Sequence, residues 1–203
     1  MGNLTRLEVV IGVVYTTRYG GEAVRAALGG EITLASDGTA LTGLYLESQK
    51  YFLGGVTEPL VERADLPVFA RAHSWLDRYF AAEKGTEAWP TPGELPLAPA
   101  GSEFRQRVWH ILCEIPRGEL LTYGDIAHRL ERETGRRASA QAVGGAVGHN
   151  PISIIIPCHR VVGSTGSLTG YAGGISHKVW LLEHEGVDLA ARGLFVPTRG
   201  TAL

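Results

Sequence analysis

Cysteine is scarce in this chain: Cys113 and Cys158 are the two thiols in 203 residues. They allow one bridge at most, so the fold does not rest on a disulfide framework, and one bridge in an intracellular protein would be unusual. No Cys/His cluster has zinc-ligand spacing, which argues against a structural metal. Long apolar runs are missing too. None reaches the length that spans a bilayer, and the N-terminus lacks the charged-then-apolar pattern of a secretory signal; the expectation is an intracellular protein with no membrane partner. There is no excess of one charge: 19 Lys and Arg face 21 Asp and Glu, net −2. Charge by itself is far too weak to argue nucleic-acid binding. A faint asymmetry lies beneath the sum. Residues 1–100 carry 8 basic against 12 acidic side chains, residues 101–203 carry 11 against 9, and six of the seven histidines fall in the second half. What is present, 44% hydrophobic and 20% charged residues, suits a globular protein with one good core or two small ones.

Pro90, Pro92, Pro96 and Pro99, with Gly93 and Gly101, crowd the stretch from about Glu87 to Gly101. Prolines this dense oppose regular helix and favour an extended tether. They divide the chain into residues 1–95 and 96–203. In the first part Leu7–Tyr15, Gly30–Ala35 and Ala40–Leu46 read as strands, with a hairpin turn at Asp37-Gly38. A helix follows from Leu66 to about Glu83, with Phe69, Ala72, Leu76, Tyr79 and Phe80 on one face. This is a small sheet with one packed helix, His73 reads as a partly exposed helix residue, and nothing here looks catalytic.

The second part is mostly helical, which makes the whole α/β in the α+β sense. Ser102 is a candidate N-cap for a helix bearing Phe104, Val108, Ile111 and Leu112. Cys113 on that stripe reads as an unreactive core thiol. Helices are expected from Asp125 to about Glu133 and from about Ser139 to Val147, with a polar turn between them, and from Ser176 to His184 before Gly186. Helix, turn, helix is a weak pointer to DNA. The middle helix contains Gly144-Gly145, which costs roughly 1 kcal/mol per glycine relative to alanine. Close packing on a neighbouring helix explains it; so does approach to a narrow groove of DNA.

The chemistry is written in Pro157-Cys158-His159-Arg160, set between the apolar runs Ile152–Ile156 and Val161-Val162. A thiol becomes a strong nucleophile as the thiolate, which a neighbouring His and Arg favour. Which electrophile it attacks must come from the rest of the chain.

That block, with Tyr123 before a helix, Ala142-Val143-Gly144-Gly145-Ala146, Asn150-Pro151, Gly170-Tyr171 and Leu181-Leu182-Glu183-His184-Glu185-Gly186, resembles the O6-alkylguanine-DNA alkyltransferases, also called methylated-DNA–protein-cysteine methyltransferases. The resemblance is dense over about residues 101–187 and loose before them. It implies a winged helix-turn-helix that enters the minor groove of double-stranded DNA, flips an O6-alkylguanine out, and gives its alkyl group to Cys158. The thioether is stable, so each molecule acts once, as a cytoplasmic monomer (nuclear in a eukaryote), without cofactor or metal. O4-alkylthymine is a further candidate substrate.

By the same resemblance His159 acts as base through a water, Glu185 orients its imidazole, Asn150 organises the turn and Arg160 ties the active-site loop. Tyr123 protonates the departing base at N3 and helps rotate the nucleotide out. Tyr171 walls the base pocket. The Ala172 N–H meets guanine O6, and the carbonyls of Cys158 and Val161 accept from its amine. Gln141, Ala142, Gly144 and Gly145 face the DNA. Many relatives carry arginine where Gln141 stands, to fill the hole left by the flipped base; glutamine brings no charge, so the expectation is a weaker hold on the lesion. Arg132–Arg137 is a short insertion, and Arg136 and Arg137 there read equally as phosphate contacts or as a solvated loop. The stretch before about Gly20 also exceeds the family's usual start. Two rivals remain: a non-catalytic lesion binder, which would lack the acceptor cysteine, and a cysteine hydrolase, which would need an oxyanion hole that nothing near the motif suggests.

Overall fold

Val14–Tyr19 (β1), Ile32–Ser36 (β2) and Leu41–Leu46 (β3) are rich in β-branched and aromatic residues and form an antiparallel ribbon. The computed structural model describes residues 12–47, 49–83 and 89–198. Leu60–Glu62 (β4) adds to β1 in parallel, giving the order β3-β2-β1-β4. The first strand lies later than expected: it starts at Val14, and Leu7–Ile11 fall outside the described residues. The β2–β3 turn is also longer than the two-residue hairpin expected from Asp37-Gly38. The Asp37 carboxylate accepts the N–H groups of Thr39 and Ala40, both at 2.8 Å, and Gly38 has φ 103°.

A helix the sequence reading passed over, Glu22–Leu28 (α1), sits between β1 and β2 and ends on Gly29 at φ 70°. The expected helix is Pro67–Ala81 (α2), with proline in its first turn, where the missing N–H costs nothing. It buries Val68, Phe69, Ala72, Trp75, Leu76 and Tyr79.

The proline-rich stretch is a docked strap rather than a free tether. Pro92–Glu94 forms a single 3-10 turn, Trp75 Nε1 donates to the Thr91 carbonyl at 2.8 Å, and Leu41 pairs with the backbone of Pro96 and Ala98, both at 2.8 Å. The prolines lack donors, but their carbonyls still accept, and the edge of β3 supplies the N–H.

In the second half Glu103–Cys113 (α3) is capped by Ser102. Leu121–Thr122 (β5) leads straight into Tyr123–Thr134 (α4), two residues earlier than expected, because Thr122 and Asp125 form a capping box. Gly135 at φ 68° ends α4, and Ala140–Gly148 (α5) follows, capped by Ser139. Val161–Val162 (β6) pairs with β5, and Ile175–His184 (α6) closes the unit. One hydrophobic core runs through both halves, from Ile32, Leu44 and Tyr79 to Trp109, Ile155 and Leu181.

The run Asn150–Pro157 carries the reactive turn across this seam. It is not a strand. Ile152 makes a bridge to Leu44 of β3, through Leu44 N–H to Pro151 carbonyl at 2.8 Å and Ser153 N–H to Leu44 carbonyl at 3.1 Å. Ile154 then takes φ 69°, a left-handed conformation that is costly for a β-branched side chain.

Candidate active site

Cys158 opens a 3-10 turn, Cys158–Arg160, and is 6% exposed. Asn150 builds the floor under it. Its Oδ1 accepts the Ile152 N–H at 3.0 Å, and its Nδ2 donates to the Ile156 carbonyl at 2.8 Å and lies 3.0 Å from Cys158 Sγ. Burial pushes the thiol up, against the Asn150 contact and the nearby Lys178 charge, which favour the thiolate.

The next two residues turn inward onto one carboxylate. His159 Nε2 lies 2.8 Å from Glu185 Oε1. The carboxylate only accepts, so the imidazole proton is on Nε2. Arg160 grips the same group with Nε to Oε2 and Nη2 to Oε1, each at 2.8 Å, and sends Nη1 to the Ile115 carbonyl at 2.5 Å. Burial alone would raise the Glu185 carboxyl, but His159 and Arg160 hold it far below the usual range. Burial lowers His159 despite Glu185, so the ring is neutral near pH 7. Its other nitrogen, Nδ1, is buried and has no hydrogen-bond partner among the described residues. Arg160 is 9% exposed and committed to this network, so it holds the loop from inside and offers little to a surface ligand.

Tyr123, the first residue of α4, donates from its hydroxyl to the Thr169 carbonyl at 3.1 Å; burial, then the adjacent thiol, push its pKa up to about 12. Tyr171 is buried with its ring edge-on to His159 at 6.5 Å between centroids, and its pKa is raised well above 10 by burial and then by the thiol. The Ala172 carbonyl accepts the Lys50 N–H at 3.0 Å, which ties this loop to the first half. The carbonyls of Cys158 and Val161 already have internal donors, the Val161 N–H and Lys178 Nζ. Each keeps a second lone pair for an external amine.

On α5, Gln141, Ala142 and Gly145 are exposed and Gly144 is half-buried. A Cβ on Gly145 would meet nothing within 4 Å, and one on Gly144 would touch only the Tyr123 ring at 3.8 Å or more. The packing explanation for this glycine pair therefore fails: the interior does not require it, and the open face stays without side-chain bulk. In the turn between α4 and α5, the Arg137 side chain is 95% exposed and 3.8 Å from Glu131. Cys113 is half-buried, and its pKa is pushed to about 11 by burial, as befits an inert thiol. Among the described residues no group of three or more His, Cys, Asp or Glu side chains could hold a metal, and no helix is long and apolar enough to cross a membrane.

Residues 103–187 match the DNA-binding domain of 6-O-methylguanine DNA methyltransferase, and residues 25–91 match the ribonuclease-like domain of the same proteins. The chain belongs to the 6-O-methylguanine DNA methyltransferase family. The methylated-DNA–protein-cysteine methyltransferase of Haemophilus influenzae is 40% identical over 165 residues, 81% of this chain and 85% of that protein. That of Mycobacterium bovis is 44% identical over 158 residues, 77% and 86% of the two chains. A crystal structure of Mycobacterium tuberculosis OGT in complex with DNA aligns with TM-score 0.69 and 38% identity, over 85% of this chain and 93% of that one. All of Cys158, His159, Glu185, Asn150 and Tyr123 lie inside the stretch that matches the family's DNA-binding domain.

Three residues near this methyltransferase site escaped the sequence reading. Lys178 is fully buried, donates to the carbonyls of Val161 at 2.5 Å and Thr169 at 2.9 Å, and has its pKa lowered by burial to about 8. Gln49 accepts from Ser153 Oγ at 3.1 Å. Tyr79 donates to Glu185 Oε1 at 2.9 Å. The one signal was a lysine within an apolar helix face; the other two partners lie 104 and 106 residues from their mates.

Proposed function

We propose that this chain repairs O6-alkylguanine in double-stranded DNA by moving the alkyl group irreversibly to Cys158 Sγ, one protein molecule per lesion and without a cofactor. The observation that carries the reading is the turn itself: a buried thiol, followed by a neutral imidazole that is bonded through Nε2 to an anionic carboxylate and has Nδ1 open. The Cys158 proton passes through a water to Nδ1, and Glu185 stabilises the imidazolium that forms. Sulfur bonds to the alkyl carbon as the carbon–O6 bond breaks. The electron pair goes to the base, which Tyr123, still protonated at neutral pH, protonates at N3.

The glycine face of α5 enters the minor groove, with Gln141 beside the vacated stack, and Tyr171 and Ala172 border the flipped base. The chemistry belongs to residues 96–203, and residues 1–95 support it through the β3 edge and α2. The protein acts as a monomer in the cytoplasm.

Intact-mass measurement after mixing with a duplex bearing O6-methylguanine tests this. One methyl group is gained, mapped to Cys158, and Cys158→Ala gains none. A non-catalytic binder would gain nothing as wild type, and a hydrolase would consume substrate while staying unmarked. Lesion repair that survives Cys158→Ala sinks the reading.

A further inference from the structure

Tyr79 lies on α2, in the half of the chain that carries no motif, yet its hydroxyl donates to Glu185 Oε1 at 2.9 Å inside the core. The same oxygen accepts from His159 Nε2 and Arg160 Nη2, both at 2.8 Å. Three donors therefore share one oxygen, and each takes part of its charge. The mount is rigid. The Tyr79 ring stacks on Trp75 at 5.3 Å, meets Phe80 and Trp89 edge-on at 5.5 and 5.6 Å, and the Tyr79 carbonyl pairs with His184 Nε2 at 2.8 Å. Tyr79 itself is 1% exposed, so bulk water does not reach the bond.

We infer that Tyr79 is a positioning residue of the transfer reaction: by donating to the oxygen that His159 uses, it sets how tightly Glu185 holds the imidazole cation, and hence the pH at which His159 is free to accept a proton. Burial keeps the phenol protonated far above neutrality, so it donates throughout the working range. Taking the donor away leaves Glu185 more basic, stabilises imidazolium, and holds His159 protonated to higher pH. The other groups facing the pair are Arg160 on Glu185 and on His159, Lys178 near the ring, with Cys158 beside Lys178, and Tyr171 edge-on to the ring. His184 touches Tyr79, and Arg117 Nη1 bonds the Glu185 main-chain carbonyl at 3.3 Å, not the carboxylate. Lys178 titrates near 8, on the alkaline side of the imidazole, so the two are separable.

The kinetic form of this inference rests on His159 being the base for Cys158, but its primary readout does not. In full-length protein with labelled histidine, nuclear magnetic resonance follows the His159 ring against pH, while single-turnover transfer from an O6-methylguanine duplex gives the acid-side midpoint of the rate. Tyr79→Phe is expected to raise both midpoints, by about one pH unit, with affinity for the duplex unchanged. A ring-fluorinated tyrosine at position 79, the same shape but a stronger donor, moves both down and covers the case in which Tyr79→Phe fails to fold. A tyrosine that only fills space would lower thermal stability and leave both midpoints in place; midpoints unmoved by the fluorinated residue overturn the inference. A shifted ring midpoint with an unshifted rate would keep Tyr79 on Glu185 and reject His159 as the base.

Discussion

Asn150 Nδ2 lies 3.0 Å from Cys158 Sγ while its Oδ1 holds the Ile152 N–H. One amide side chain thus fixes where the apolar run leaves β3 and where the thiol ends up. Asn150→Ala leaves the buried Ile152 N–H without its partner, while the Ile156 carbonyl keeps the Cys158 N–H at 2.8 Å, and should cost about 1–3 kcal/mol of stability. Asn150→Asp keeps the size but sets a carboxylate beside the sulfur and opposes the thiolate. Thermal melts should show the alanine variant less stable than wild type, and single-turnover assays should show the aspartate variant at least tenfold slower, with a more alkaline midpoint.

Lys178 and Tyr123 meet on the Thr169 carbonyl, at 2.9 and 3.1 Å. The lysine also carries the positive charge that favours the Cys158 thiolate. Lys178→Met removes the charge and both bonds in a similar volume. Expected is a drop in transfer rate of about tenfold or more, recovered in part at high pH where the thiol ionises unaided. Equal loss at every pH would show that the charge is irrelevant.

Gly145 faces open space. Gly145→Ala is therefore expected to raise stability by about 0.5–1 kcal/mol through helix propensity alone. If this face enters the groove as proposed, Gly145→Leu should melt no lower than wild type yet bind duplex at least tenfold more weakly, because the added bulk blocks entry. Gel-shift titration beside a thermal melt separates the two effects.

Gln141 is exposed near the start of α5. Gln141→Arg adds a cation at the face proposed to meet DNA and is expected to tighten lesion binding, steepen its salt dependence and speed transfer. Unchanged affinity and rate across a salt series would show that glutamine is no handicap here.

Stability should decline as pH falls. His159 has a lower pKa folded than unfolded, because burial disfavours its cation. The unfolded chain therefore binds more protons near the ordinary value of 6.5, and the stability due to neutral His159 is full above that value and fades below it. His73 adds the same sign for the same reason. Glu185, held low by His159 and Arg160 against its burial, contributes above its unfolded value of 4.5, and that part is lost as pH drops further. A melting series from neutral to acid pH should slope downward in two stages, and His159→Asn should flatten the upper one.

A thiol followed at once by an imidazole and a guanidinium was legible in one short block; Glu185 was named only through the family resemblance, and the structure sets its carboxylate against both His159 and Arg160. Tyr79 was readable only as core: it occupies an apolar stripe, and nothing nearby in the chain hints that its hydroxyl reaches Glu185. Lys178 was hidden in the same way on α6. The helix Glu22–Leu28 has seven residues, too few for a period to show, and β4 has three residues, all exposed, held by pairing with β1 rather than by any pattern of its own. The strap at Pro92–Glu94 shows the limit of composition. Proline density forecast irregular backbone correctly but said nothing about where the carbonyls would find donors.

The bridge between Leu44 and Ile152 has a consequence for biosynthesis. The reactive turn borrows its backbone partner from a hairpin that leaves the ribosome about a hundred residues earlier. The nascent chain thus presents the template before the segment that must be shaped on it. A pause or slipped register in that early hairpin would be felt as a misplaced sulfur, long after the ribosome had moved on.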